Sequence, residues 1–430
     1  MKKIFYFLPV VALALLGACG GSDSEPTPNG GENENGGSQT NVEADKQHIS
    51  EVAKNVSSLF KPEDQKELVD LGIDFSDLYA DLDIPAEWES LYNDAPAQSK
   101  DKSLLPGNFL KFLVRGVRHG NSSALTRAAN NYVYNYKLSQ ISGIYEPSLA
   151  SGRWVKRQNS NSLIFRFNDS KGASCELNVT GNGEENKFSE EYDGDTYNVF
   201  IPGTVTVRLT RGSNELAKGV VKSTLNNNNV NINTDITVMN LHVQSIAGVT
   251  NSQMNANVQF TVSGKQVLEA TATANGNNLN NPDVWDEDHM ERVFSTGRAN
   301  GNILNNQLGV NADLTFSESY FNGWDEEWGH WDNIDKATAL ARVTLAANKV
   351  NSAGSINLVY NGSNRAKIMA MPVLLEEGYN NQYWEYYLEP CLKFNDGTTY
   401  SLDDFEDVFS SAFDVFDQLA DTYEKAFNIK

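Results

Sequence analysis

Residues 230–238 read VNINTDITV and residues 256–262 read ANVQFTV, and these two stretches carry the strongest structural signal in the chain. Apolar and polar side chains alternate along both, which is the period of a β-strand whose successive side chains point to opposite faces. Strict alternation indicates one face on a core and one in water, as in antiparallel rather than parallel sheets. Because the polar positions are mostly Asn, Thr and Gln, we expect an open, hydrated face.

The same alternation recurs along the middle of the chain. Further runs of this kind occupy residues 204–210, 268–274, 309–316, 338–346 and 354–360. Turn-forming sequences separate neighbouring runs, for example RGSN at 211–214 and SGK at 263–265. With one strand in roughly every 10–14 residues, residues 141–400 are predicted to form a long antiparallel β-meander with irregular insertions rich in Trp and acids.

The segment before the meander has a helical period instead. Apolar residues recur at helical spacing at Ile49, Val52, Ala53, Val56 and Leu59. Pro62 is predicted to open a second helix, with Glu63 and Asp64 in its first turn, where the helix dipole favours acids. Two more helices are predicted at residues 107–120 and 122–138.

A second helical region is predicted at residues 401–430. Ser401 and Asp404 form a capping-box pattern. The apolar stripe that follows consists of Leu402, Phe405, Phe409, Phe413, Phe416, Leu419, Ala420, Tyr423 and Phe427. A helix this apolar on one side needs a cover. The predicted class is therefore α+β, a curved sheet of residues 141–400 packed against N-terminal helices of residues 45–140 and a C-terminal amphipathic helix.

The N-terminus has the parts of an export signal. Lys2 and Lys3 precede an apolar run at residues 4–16, which is too short for a membrane span of about 20 residues. The sequence LGAC at residues 16–19 resembles the bacterial lipobox. The resemblance implies that residues 1–18 are a signal peptide and that Cys19 becomes a diacylglyceryl- and palmitate-bearing N-terminus. The alternative is an ordinary secretory signal with a chance cysteine.

A polar segment follows the predicted lipid anchor. Residues 19–44 are rich in Gly, Asn and acids and nearly free of apolar side chains, so a flexible tether is predicted. Asp23 and Glu25 resemble the acidic export signal of surface lipoproteins from Bacteroidota. This resemblance implies the cell surface, on the outer leaflet of the outer membrane, with the periplasmic face as the alternative.

Charge and motif content narrow the function further. Removing residues 1–18 takes Lys2 and Lys3 from the 34 basic side chains, so that 32 remain against 56 acids and the net charge is −24. Such a chain is unsuited to nucleic acid and to direct docking on anionic lipid. No metal-type cysteine spacing, cofactor motif or nucleophile motif is present, so catalysis, metal and cofactors are not predicted. Cys175 and Cys391 either form a disulfide or are buried thiols.

One cluster of side chains suggests ligand binding. Tryptophans and acids concentrate in two insertions, and the candidate residues are Trp285, Trp324, Asp325, Glu327, Trp328 and Trp331. Exposed indoles cover the apolar face of a sugar while carboxylates accept hydrogen bonds from its hydroxyls. Two alternatives stay open. The acids could bind calcium, or the tryptophans could simply close the end of the sheet.

The middle of the chain also resembles a known group of proteins. Residues 154–181 (WVKRQNSNSLIFRFNDSKGASCELNVTG) and 259–279 (QFTVSGKQVLEATATANGNNL) carry the resemblance. With the lipobox, they look like exported lipoproteins of gut Bacteroidota, a group without an established activity, so the resemblance implies an address and no mechanism. The favoured hypothesis is a surface-anchored, non-enzymatic protein that binds an extracellular glycan. The alternatives are a periplasmic-side carrier of an apolar or lipid ligand and a glycan hydrolase.

Overall fold

The structure is a computed structural model of the 430-residue chain that describes residues 39–88, 133–192, 195–226, 229–281, 294–316, 320, 335–377 and 383–401. The described helices are α1 (Gln39–Ser57), α2 (Pro62–Tyr79), α3 (Leu138–Ile141) and α4 (Lys336–Ser352). The described strands are β1 (Val133–Lys137), β2 (Gly143–Ser148), β3 (Arg153–Gln158), β4 (Leu163–Asn168), β5 (Ser174–Tyr192), β6 (Asp195–Arg211), β7 (Asn214–Asn226), β8 (Asn229–Val238), β9 (Leu241–Val249), β10 (Gln253–Val262), β11 (Lys265–Gly276), β12 (Phe294–Ile303), β13 (Leu308–Thr315), β14 (Gly354–Tyr360), β15 (Ser363–Glu377), β16 (Tyr383–Phe394) and β17 (Thr399–Ser401).

The chain forms two compact units. Unit 1 combines Met1–Phe60 with Gly248–Lys430, and unit 2 is Lys61–Ala247. Both are rich in strands, and most strand pairs are antiparallel, as the alternating sequence predicts. The parallel pairs among the described strands, β1 with β6 and β2 with β4, make the sheet mixed rather than purely antiparallel.

Unit 2 is organised around the long hairpin of β5 and β6. Strands β4 to β8 pair in sequence order with antiparallel register. Beyond the β-bulge at Asn182 and Glu185, the first half of β6 also pairs with β1. There the side chain of Asn186 donates to the Ser223 carbonyl at 3.0 Å and accepts from the Leu225 amide at 2.8 Å. This amide therefore satisfies β7 backbone groups where that strand leaves β6.

Strand β1 corrects one prediction. Residues 122–138 were expected to be helical, yet Val133–Lys137 form a strand that pairs with β6. The residues of this segment, VYNYK, are β-branched and aromatic at three of five positions, and such residues favour strands. The hydrogen-bonding edge of β6 thus outweighs the apparent helical stripe.

An aromatic cluster forms the core of unit 2 beneath α2. This helix begins at Pro62 with Glu63 and Asp64 in its first turn, as predicted. Its Tyr79 packs with Trp154 and Phe167, at ring-centroid distances of 5.8 and 5.6 Å. Trp154 and Phe165 meet edge to face at 5.0 Å, and each is 2% exposed.

The first described element of unit 1 is α1, which starts earlier than predicted. The helix spans Gln39–Ser57 and so takes in the last residues of the predicted tether, 19–44. Asp45, Ile49, Val52, Ala53 and Val56 are all buried on it. Because burial of one face supplies most of the stability of a protein helix, the packed turns extend the helix upstream into a polar sequence.

Strands β10 to β17 of unit 1 form an antiparallel meander, and α4 interrupts it. Residues 338–346 were predicted to be a strand, but they lie in α4. Their sequence fits the two-residue period of a strand as well as the 3.6-residue period of a helix. In the structure, the side chains on one side of the helix are buried, namely Ala339, Val343, Ala346, Ala347 and Val350. Leu340 and Leu345, the two leucines of this run, are 46% and 59% exposed. Asp335 caps the helix by accepting a hydrogen bond from the Thr338 amide at 2.9 Å.

The apolar face of this meander forms the core of unit 1. Ile49 of α1 packs there among Leu358, Ile368, Leu392 and other buried residues of β13 to β16. At the start of β14, Gly354 has a φ of +155°, and a Cβ there would lie 2.0 Å from the Asp313 carbonyl oxygen. Only glycine allows β14 to approach β13 so closely.

Other predictions of helical structure fall outside the described part of the chain. Residues 107–120 and all but the first residue of 401–430 lie there, and Ser401 itself ends β17. Among the described helices, none has the length and apolar character needed to cross a membrane.

Candidate binding face

The sequence-predicted ligand residues are not placed by the structure. Trp285, Trp324, Asp325, Glu327, Trp328 and Trp331 lie outside the described residues, as does the predicted lipid anchor Cys19. Cys175 and Cys391 are described, and both are buried and free. Burial raises the pKa of both thiols. Of the two states that the sequence left open, the structure shows the buried thiol.

Unit 1 presents a polar face opposite its core. Successive strand registers align one row of side chains across β10 to β17, and we call it the amide row. Its members are Asn257, Thr271, Asn300, Asn311, Asn357, Lys367, Lys393 and Thr399. Neighbouring strands are about 4.8 Å apart, so the row extends for about 34 Å across the strands.

The flanking positions of this face are polar as well. One neighbouring row contains Asn255, Thr273, Arg298 and Asp313, and the other contains Gln259, Glu269 and Asn302. Since side chains alternate along each strand, the intervening rows point to the apolar face. They include Ala256, Ala272, Ala299, Ala312, Ile356, Ile368 and Leu392. The division between polar and apolar faces therefore holds from β10 to β13, whereas on β15 and β16 the face with the amide row also carries Met369 and the buried Cys391.

Hydrogen bonds orient part of the amide row. Asn357 Nδ2 donates to Asn311 Oδ1 at 2.9 Å, and Asn311 Nδ2 donates to Asn364 Oδ1 at 3.2 Å. Asn357 is 8% exposed, so its amide is held in a defined orientation. By contrast, the exposed amide of Asn300 makes no hydrogen bond to another described residue. The row thus combines oriented amides with others, Asn257 and Asn300, that make no hydrogen bond to a described residue and are open to a ligand.

A second network supports one edge of the row. Gln266 Nε2 donates to Glu269 Oε2 at 2.8 Å and to Asn302 Oδ1 at 3.1 Å. Asn302 in turn donates to Glu269 Oε2 at 3.3 Å and is 4% exposed. Three polar side chains therefore satisfy one another and stabilise the surface beside Asn300.

The far end of the row carries two cations. Lys367 of β15 and Lys393 of β16 are directly paired across the strands, and both are exposed. Within the described part of the chain, no carboxylate forms an ion pair with either of them. In a protein with 56 acids and 34 bases, an adjacent lysine pair without an acid is notable.

The polar face of unit 2 is built differently. Arg166 and Glu176 pair at 2.9 Å, and Arg208 and Glu215 pair at 2.7 Å. On β8 and β9, His242 Nε2 lies 2.9 Å from Asp235 Oδ1 and Gln244 donates to the same carboxylate at 3.0 Å. These hydrogen bonds, that from His242 first, lower the pKa of Asp235.

Two ion pairs with a buried carboxylate stabilise the fold. In unit 2 the Asp169 carboxylate accepts from the amides of Lys171 and Ala173 and from Arg211, which fixes the turn between β4 and β5. Burial alone would raise the pKa of Asp169, but these hydrogen bonds outweigh it and lower the pKa. In unit 1, Arg365 Nε donates to Asp45 Oδ1 at 2.9 Å and fastens α1 to β15.

No group of three or more metal-ligating side chains occurs in the described residues. No protein-family model, no curated protein and no solved structure matches the chain. The resemblance to exported lipoproteins of gut Bacteroidota therefore stays a prediction.

Sequence reasoning recognised the polar positions of the strands but did not assemble the amide row. The available signal was the repeated Asn and Thr at alternate positions of residues 256–274 and 300–311. Alignment into one row depends on strand register, which the turns and bulges set. The bulge at Phe260 and Thr261, for example, shifts the pairing of β10 with β11.

Proposed function

We propose that this protein is an exported, lipid-anchored surface protein that binds a glycan along the amide row of unit 1. The observation that carries the proposal is the alignment of Asn257, Asn300, Asn311 and Asn357 on one sheet face. Each primary amide has a carbonyl acceptor and two N–H donors. Sugar hydroxyls are donors and acceptors at once, so a row of amides complements them without a net charge.

The form of the surface suits an extended ligand. The row crosses eight strands, and its members lie at the strand spacing of about 4.8 Å. Oriented amides lose less side-chain entropy on binding than freely rotating ones, and the Asn357–Asn311–Asn364 hydrogen bonds supply that order. We therefore favour a linear glycan that lies across the strands.

The two Trp-rich insertions support the same proposal. Residues 282–293 join β11 to β12, and residues 317–334 join β13 to α4. The register pairs Gly276 with Phe294 and Thr296 with Thr315, so both insertions leave the sheet at the same end. In this proposal Trp285, Trp324, Trp328 and Trp331 add stacking surfaces at that end, with Asp325 and Glu327 as hydroxyl acceptors.

The proposed location at the cell surface rests on the sequence alone. The lipobox, Cys19 and the polar segment after it support a diacylglyceryl anchor in the outer membrane, with the folded body on the cell surface. Nineteen residues separate Cys19 from α1, and a fully extended chain of that length spans at most about 65 Å. Replacement of Cys19 by Ser in cells, followed by fractionation, tests the anchor, because the variant would leave the membrane fraction.

We also propose a cover for the apolar face beside β11 and β12. Ala270, Ala272 and Ala299 are only half-buried there. The aromatic stripe of residues 401–430, as a C-terminal helix, would pack on these small side chains and complete the curved α+β body. Cysteine cross-linking of an Ala272→Cys variant to positions in 405–420 tests this, and no cross-link at any position would contradict it.

Glycan binding is tested with two matched double variants of the mature chain. Asn300→Ala/Asn311→Ala removes two amides of the row, and Asn231→Ala/Asn233→Ala removes two amides from the exposed positions of β8 in unit 2. On a glycan array followed by calorimetry, we expect the first variant to lose about tenfold or more in affinity, at about 1.4 kcal/mol per tenfold, and the second to bind like the wild type. Equal affinity of both variants, or no glycan bound by the wild type, would contradict the proposal.

A further inference from the structure

The lysine pair at the end of the amide row points to the kind of glycan that binds there. Lys367 and Lys393 are direct cross-strand partners on the polar face. Side chains in such pairs start about 4.5–5.5 Å apart, and like charges directly opposite one another destabilise a sheet. Two cations in this position therefore lower the stability of the free protein.

Edge protection does not account for these lysines. Lysine commonly blocks unwanted pairing on an exposed edge strand. Here β15 is hydrogen-bonded on both sides, to β14 and to β16. Lys393 lies where β16 is covered on its other side by β17, opposite Thr399.

The neighbours of the pair along the row are neutral, and the nearby charged groups have other partners: Arg365 pairs with Asp45, and Asp396 bonds Thr398 in the turn after β16. Asn357 is next to Lys367 in the row, and Thr399 is next to Lys393. Glu389 is on the same face of β16 but four residues from Lys393, with Cys391 between them. At a rise of about 3.3 Å per residue, the Cα atoms of Glu389 and Lys393 are about 13 Å apart. The nearest carboxylate in the flanking row, Asp313, bonds Arg298. No described acid pairs with either ammonium group, so within the described part of the chain both are available to an external anion.

We propose that the glycan bound by the amide row carries carboxylates, and that Lys367 and Lys393 together bind one of them. This inference rests on the proposed function and narrows its ligand to an acidic glycan that places a uronic acid unit at the lysine pair. The two ammonium groups share one carboxylate by charge-assisted hydrogen bonds, while the amides bind the hydroxyls of the neighbouring units. Binding therefore removes the repulsion between the lysines.

The test compares acidic polymers with their neutral counterparts. Polygalacturonate, alginate and hyaluronan oligomers, and the same oligomers after reduction of their carboxyl groups, are titrated into the mature chain by calorimetry. We expect at least one acidic oligomer to bind about tenfold or more tightly than its reduced form. Its affinity should fall as salt is raised, because exposed charges are screened.

Two double variants complete the test. Lys367→Gln/Lys393→Gln should abolish the difference between acidic and reduced oligomers. The matched control Lys218→Gln/Lys222→Gln removes two exposed lysines from β7 of unit 2 and should leave it unchanged. Equal binding of acidic and reduced oligomers would overturn this inference and leave the proposed function standing. A preference that survives in the Lys367/Lys393 variant, or that extends to sulfated polymers without carboxylates, would also overturn it. Absence of all glycan binding would overturn both proposals.

Discussion

Units 1 and 2 use the same alternating strands but present different polar faces. In unit 2, charged side chains on this face bond one another, as in the Arg166–Glu176 and Arg208–Glu215 pairs. In unit 1, the amide row has neutral side chains and two lysines without a described acid partner. Unit 2 therefore pairs several of the charges on this face with one another, whereas the amide row of unit 1 keeps hydrogen-bonding groups and two cations for an external ligand.

This difference shows what alternation can and cannot convey. Alternation of apolar and polar residues indicates that one face of the strand is exposed to solvent, and it indicates this equally for β8 and for β12. Whether that wet face is a solvated surface or a ligand surface depends on which polar side chains meet across strands. Side chains of opposite charge use their hydrogen-bonding groups on each other, whereas amides beside like charges keep theirs for a ligand.

The largest effect should come from the core of unit 2. Trp154→Ala removes a side chain that is 2% exposed and packs against Phe165 at 5.0 Å. We expect a loss of about 3–5 kcal/mol in the free energy of unfolding, measured by hydrogen exchange at amides of β4 to β6. Glycan binding by unit 1 should persist in folded protein.

The exposed Leu149 is the control for this variant. It is 73% exposed, and Leu149→Ala should change stability by no more than about 0.5 kcal/mol. Equal effects of the two substitutions would show that the aromatic cluster is not the stabilising core. Loss of glycan binding in folded Trp154→Ala protein would contradict the assignment of binding to unit 1, because it would place the binding function in unit 2.

The next effect concerns the attachment of α1 in unit 1. Arg365→Met leaves the Asp45 carboxylate, whose side chain is 5% exposed, without its partner. Breaking a fully buried pair costs about 3–5 kcal/mol, and because Arg365 is itself 35% exposed we expect about 1–3 kcal/mol. Urea unfolding monitored by exchange at α1 amides would measure it. Arg298→Met, on the polar face with a side chain that is 74% exposed, should be nearly neutral, and equal losses would contradict the buried role of the pair.

Acid should weaken unit 2 through Asp169. Its pKa is lowered in the folded protein, so the ionised carboxylate stabilises the fold above the usual value of about 3.9 and this contribution is lost as pH falls through the folded pKa. Asp169→Asn should be less stable at pH 7, and the gap to the wild type should narrow below about pH 4. Thermal unfolding between pH 7 and 2 would show it, with the exposed Asp81→Asn as control. A gap that stays constant in acid would rule out this linkage.

The smallest effect should come from the surface pairs of unit 2. Arg208 and Glu215 are 52% and 43% exposed, and exposed pairs contribute about 0.2–1 kcal/mol. A double-mutant cycle with Arg208→Gln and Glu215→Gln should give a coupling in this range, and it should shrink in high salt. A coupling of several kcal/mol would mean that charge pairing, not core packing, holds this hairpin.

The sequence predicted individual helices and strands better than it predicted how the strands align with one another. Pro62 and the acids after it mark the start of α2 because their chemistry is local. Residues 338–346 were misassigned because TALARVTLA fits a strand and a helix equally, and only burial of Ala339, Val343 and Val350 on one side selects the helix. The amide row was out of reach since it depends on the register of seven strand pairs. The role of the Trp-rich insertions in ligand binding stays a prediction, because their tryptophans lie outside the described part of the chain.

The Asp45–Arg365 pair also has a mechanical meaning. A pull on the N-terminal side of the chain enters unit 1 through α1, and Asp45 is the first buried side chain along that helix whose burial the structure describes. The load passes to Arg365, which sits at a bulge of β15, two residues from Lys367. Tension on the chain before α1 would thus reach β15, the strand that carries Lys367 of the amide row. Single-molecule pulling from residue 39, with and without Arg365→Met, would read this coupling as a drop in rupture force.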